Sequence, residues 1–130
     1  MSIFQKEDEK RLKIMVTTAG TVPAKTKADY IITIAERAKA DLIVLNVINK
    51  QDDYEDGQNA LKIFHRKGSK FNVRPILRIG RLTETIVRTA TDEEIDIILL
   101  GLDEQGNIGS AISRDVMQKT DIPVLLIPNI

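Results

Sequence analysis

The chain of 130 residues contains no cysteine and no tryptophan, and aromatic residues make up only 4% of it. Without cysteine there is no disulfide, no thiolate nucleophile and no sulfur-rich metal site. An excess of one charge is missing too: 19 Lys and Arg stand against 19 Asp and Glu. No global field then draws in nucleic acid or an anionic membrane, and neither is expected as a partner. No apolar run approaches the ~20 residues of a membrane span, and the amino terminus shows no signal-peptide core. A cytoplasmic location is the expectation.

Most catalytic chemistry is absent as well. The single histidine, His65, lies beside Arg66 and Lys67 with no hydroxyl or thiol partner in view, and reads as a surface residue. No spacing matches a zinc site, and no G-x-S-x-G elbow occurs. Ala19-Gly20-Thr21-Val22-Pro23 is not the G-x-G-x-x-G of a dinucleotide site. A phosphoacceptor domain needs acids after the first strand and an aspartate after the third, where Thr17-Thr18-Ala19 and Ile79-Gly80 stand. The acidic cluster Asp52, Asp53, Glu55 and Asp56 reads as a solvated loop.

What is present is an alternation of strand and helix patterns. Residues 1–11 form a charged extension with only Ile3 and Phe4 apolar, and 12–130 form one domain. A chain of this size buries roughly two-thirds of its unfolded surface. Strands are predicted over 12–18, 41–48, 72–79, 95–100 and 123–127, and helices over 23–40, 57–67, 82–93 and 110–119. In the first helix Ala24, Ala28, Ile31, Ala35 and Ala38 form one apolar stripe. In the third, Leu82, Ile86 and Ala90 do the same.

Continuous apolar strands joined by helices predict an α/β fold, a doubly wound five-stranded parallel sheet covered on both faces. Orders 3-2-1-4-5 and 2-1-3-4-5 both satisfy right-handed crossovers. Pro75 cannot donate to a central ladder, so the third strand belongs on an edge and the order 3-2-1-4-5 is favoured. The switch point then lies between the first and fourth strands, and Thr17 and Thr18 line its crevice. The last strand becomes the other edge. Val124, Leu125, Leu126 and Ile127 carry no charge to discourage pairing, and a second copy across a two-fold axis is the simplest cover.

These pieces resemble the universal stress protein family. The resemblance rests on Lys13-Ile14-Met15-Val16, on the second strand from Asp41 to Ile48, and on Gly80 opening a crossover. Asp96-Ile97-Ile98-Leu99-Leu100-Gly101 and Pro123-Val124-Leu125-Leu126-Ile127-Pro128 complete it. It covers 12–128 and implies the same strand order. Members that bind ATP carry G-x-x-G, nine residues, then G-S or G-T, whose amides and hydroxyl wrap the phosphates. By that likeness the ligand-contacting positions are Thr18, Ala19, Val47, Gly101, Gly106, Gly109, Ser110 and Ala111.

The chain departs from that pattern. The loop from Gly101 to Ser110 is several residues short, and Glu104 stands at the second glycine. Two registers remain open, one pairing Gly109 with Ser110, the other Ser110 with Ala111. Ala19 replaces an aspartate that contacts the nucleoside. Asp103 and Glu104 add negative charge, and one charge about 6 Å from a phosphate opposes it by roughly 3 kcal/mol at an effective dielectric near 20. Arg81 and Arg114 offset this only if they point inward. A homodimeric binding or regulatory module is therefore expected, with a protein partner, no strong ATP binding, no cofactor and no dedicated catalysis. Two alternatives stand beside it: an ATP- or AMP-binding stress sensor with at most slow hydrolysis, and the cytosolic regulatory domain of a larger transporter or kinase.

Overall fold

The computed structural model of the chain describes residues 11–17, 25–48, 50, 55, 58, 73–101 and 110–127. Along them run β1 (Lys13–Thr17), α1 (Lys25–Arg37), β2 (Asp41–Ile48), β3 (Val73–Ile79), α2 (Leu82–Asp92), β4 (Ile97–Gly101), α3 (Ser110–Lys119) and β5 (Val124–Ile127). Of the helix predicted over 57–67 only Gln58 is described, in helical conformation, and the rest lies outside the described residues. Every pairing is parallel and the order is β3-β2-β1-β4-β5. Pro75 does mark an edge.

Because a strand alternates faces, its apolar run feeds two cores. On one face Ile14, Val16, Leu42, Val44 and Leu99 pack with Ala28, Ile31, Ile32 and Ala35 of α1. On the other, Met15, Ile43, Leu45, Ile98 and Leu100 pack with Ile86 and Ala90 of α2 and Val116 of α3. Met15, Leu42, Leu45 and Ile98 are wholly buried. Each side chain of that size stabilises the fold by about 1.5–3 kcal/mol.

Two helix ends differ from the sequence reading, for one shared reason. The first helix stops at Arg37, so Ala38 is exposed instead of joining the inward stripe. Lys39 adopts a left-handed φ of 53°, and Glu94 after α2 one of 54°. In each turn the following amide reaches back five residues, Ala40 N–H to Ala35 O and Ile95 N–H to Ala90 O, both at 2.9 Å. This is the Schellman closure that glycine usually serves. Each turn then delivers an aspartate beside β1: Asp41 N–H donates to Leu12 O and Asp96 N–H to Lys13 O, both at 2.8 Å. With Ile95 spent on closing α2, the fourth strand starts at Ile97 rather than at 95.

β3 is tied to α2 by its arginines. The Arg74 guanidinium lies 2.6 Å from a Glu93 carboxylate oxygen. Arg78 donates to the Thr89 hydroxyl at 3.0 Å and sits 3.7 Å from Asp92. On the opposite face Val73 and Leu77 pack on the α1 core, while Pro75 and Ile79 are exposed, Ile79 by 53%. Ile79 ends the edge strand. At the far edge β5 is four residues long, with Ile127 buried and Leu125 52% exposed.

Candidate ligand crevice between β1 and β4

Among the described residues β1 and β4 pair as far as Val16 opposite Leu99. Beyond that level β1 continues against β2, Thr17 opposite Leu45, and β4 continues against β5, Gly101 opposite Ile127. The chain therefore leaves β1 toward β2 and β4 toward β5, in opposite directions from the middle of the sheet. In an open parallel sheet this is where a ligand is received, because the strand ends and the next helix amino terminus converge there. α3 begins at Ser110 and follows β4 in the chain.

Several of the expected positions gather at this end of the sheet. Gly101 closes β4, Ser110 and Ala111 open α3, and Val47 lies one residue before the end of β2, buried and paired with Arg78. Thr18, Ala19, Gly106 and Gly109 lie outside the described residues, as do Asp103 and Glu104. Ser113 and Val116, the anchors for counting back along the loop, are both buried on the inward side of α3. Arg81 and Arg114 are exposed, so neither is turned into the core beneath the crevice. Arg81 caps α2 in an extended conformation without a side-chain hydrogen bond.

One polar group at the crevice was not singled out for function by sequence reasoning. The Thr17 hydroxyl is buried and has no hydrogen-bond partner among the described residues. A buried hydroxyl without a partner costs about 1–3 kcal/mol, so its place at the last paired level of β1 is notable. Its signal in the sequence was weak, since threonine is common in strands. A wider cleft of about 760 Å³ sits at the opposite end of the sheet, lined by Arg11, Lys13, Asp41 and Asp96 among others. Its polar groups are largely engaged with one another. Arg11 meets Asp41 at 2.7 Å, Asp96 accepts from the Lys13 amide at 2.8 Å, and the Lys13 amine donates to Glu93 O at 3.1 Å. Among the described residues no group of three His, Cys, Asp or Glu is placed to hold a metal ion, and no helix is long and apolar enough to cross a membrane.

A parallel 3-2-1-4-5 sheet with its switch point between the first and fourth strands defines a doubly wound α/β domain. A profile of the universal stress protein family matches residues 10–128, and the chain belongs to that family. Solved structures agree on the fold. A universal stress protein in complex with cAMP superposes with a TM-score of 0.72 at 18% identity, over 92% of this chain and 98% of that one. One from Archaeoglobus fulgidus in complex with dAMP gives 0.68 at 16% identity, over 91% and 98%. One from Arabidopsis thaliana with AMP bound gives 0.68 at 17% identity, over 89% and 90%. No curated protein matches the chain significantly.

Proposed function

We propose that this chain is a homodimeric binding and regulatory module of the cytoplasm, without strong ATP binding and without dedicated catalysis. The observation that carries the reading is the topological switch point between β1 and β4, where such sheets receive a ligand. The groups around it supply little for a triphosphate. Thr17 offers a neutral hydroxyl, and in the sequence Ala19 stands where an aspartate for the nucleoside is expected while Asp103 and Glu104 follow Gly101. Negative charge close to a phosphate opposes its binding. The 52% exposure of Leu125 on the β5 edge supports pairing with a second copy.

A second reading is favoured by the solved neighbours, whose titles name cAMP, dAMP and AMP. In it an adenine mononucleotide occupies the crevice and its presence is the signal. Calorimetric titration of ATP with Mg²⁺, and separately of AMP, into the full chain distinguishes the two. The first reading expects no heat from ATP up to millimolar concentration. Micromolar ATP binding that Gly101→Val abolishes would overturn it and leave the nucleotide sensor.

A further inference from the structure

A second groove lies on the other side of the sheet's carboxyl end, between the close of β3 and the first two turns of α2. Its volume is about 330 Å³, and Arg78, Ile79, Glu84, Thr85 and Arg88 line it. That volume is at the lower end of small-ligand sites. β3 is separated from β1 by β2, so this groove is distinct from the β1–β4 crevice and its reading does not rest on the function proposed above.

The charges in the groove are not balanced. Glu84 precedes Arg88 by four residues, the favourable helical spacing and direction for an ion pair. Instead its carboxylate lies 3.8 Å from the Lys119 amine of α3. Arg88 is exposed and forms no ion pair among the described residues. Arg78 is held in one orientation through a single terminal nitrogen, which serves both Thr89 and Asp92. A guanidinium has five donors in a planar fork, so the rest of the Arg78 fork is available to the groove.

Thr85 adds a hydroxyl. Thr33 and Thr91 donate back to the carbonyl four residues earlier, Asp29 O and Val87 O. Thr85 forms no such bond, and its hydroxyl has no hydrogen-bond partner among the described residues. It stands instead over Gly80, at 2.6 Å from where a Cβ would sit. Ile79, at the close of β3, borders the groove.

We propose that this groove binds a small organic anion, a phosphate ester or a carboxylate, gripped by Arg78 and Arg88 with the Thr85 hydroxyl as a third contact. Arginine forks match the oxygens of both groups in bidentate fashion.

The test is a nuclear magnetic resonance titration of the uniformly ¹⁵N-labelled full chain with inorganic phosphate, phenyl phosphate and benzoate. Saturable shifts at the Thr85 and Arg88 amides and the arginine Nε–H signals are expected. The stronger of phenyl phosphate and benzoate identifies which oxyanion the site prefers. Arg88→Gln should weaken binding about tenfold, the loss of one charge-assisted hydrogen bond. It should leave the melting temperature unchanged, and Thr85→Val should weaken binding less. No saturable shift with any probe, shifts that persist unchanged in Arg88→Gln, or shifts centred on Thr17 and Gly101 would each overturn the proposal.

Discussion

Gly80→Ala offers a sharp check on how β3 is joined to α2. The Gly80 amide donates to Ile48 O at 3.0 Å, and its backbone is one any residue adopts, so φ is not the constraint. The constraint is space. An added methyl carbon would stand 2.6 Å from the Thr85 Oγ1 atom, far inside the ~3.5 Å at which such contacts become favourable. Thr85 is β-branched and sits in a helix, so relief needs a turn about χ1 to the second rotamer open to helical threonine, with the hydroxyl moved off Gly80. Overpacking of this kind costs about 1–3 kcal/mol, against which a Gly→Ala change recovers about 0.4–1 through the unfolded chain. The expected net loss is about 1–2 kcal/mol, which for a domain of this size lowers the melting temperature by about 4–7 °C. Urea denaturation and calorimetry of a double-mutant cycle measure it. In a Thr85→Ala background the contact is gone, and Gly80→Ala should become neutral or mildly stabilising. An equal loss in both backgrounds would refute the steric account.

Three further substitutions have expected outcomes. Thr17→Val removes a buried hydroxyl that has no partner among the described residues, so stability should hold or rise by up to about 1 kcal/mol; a clear loss in urea would mean the hydroxyl is bonded in the folded chain. Glu94→Gly relieves about 1–2 kcal/mol of left-handed strain and gives back about 0.5–1 in chain entropy, a net gain of about 0.5–1 kcal/mol. Glu94→Ala should not share that gain, and equal melting temperatures for the two variants would count against a strain origin. Leu125→Glu places a charge on the exposed β5 edge and should convert a dimer to a monomer in light scattering after gel filtration. A wild-type chain already monomeric at high concentration would remove the dimer.

The strand order was legible because one residue decided it. Pro75 forbids a central position, and the other strands are apolar on both sides, which only a sheet covered on both faces allows. The helix ends were less legible. Lys39 and Glu94 do the work usually marked by glycine, so the helical pattern ran on to 40 and the fourth strand was drawn from 95. The roles of Arg74 and Arg78 were hidden for a different reason. Alternation along β3 placed them on one face, but their partners Thr89, Asp92 and Glu93 come from another element. Of the candidate site, topology alone brought Val47, Gly101 and Ser110 to one end of the sheet. The Thr17 hydroxyl needed packing to be noticed, since burial of an atom follows from its neighbours in space.

The strand order also sets a timetable for folding. β1 pairs with β2, β2 with β3 and β4 with β5 across separations of about thirty residues or fewer. The join of β1 to β4 spans far more chain: the Lys13 amide and Asp96 that meet across it are 83 residues apart. Distant pairings form late because loop closure must come before the contacts that reward it. Two halves, one ending near Gly80 and the other beginning near Leu82, are then expected to organise before they meet along that seam. The crevice at the switch point between β1 and β4 is the upper end of the same seam, so it exists only once the halves have docked. A ligand held there would bind the completed chain and not its assembling halves, and its stabilising effect would appear in the unfolding rate.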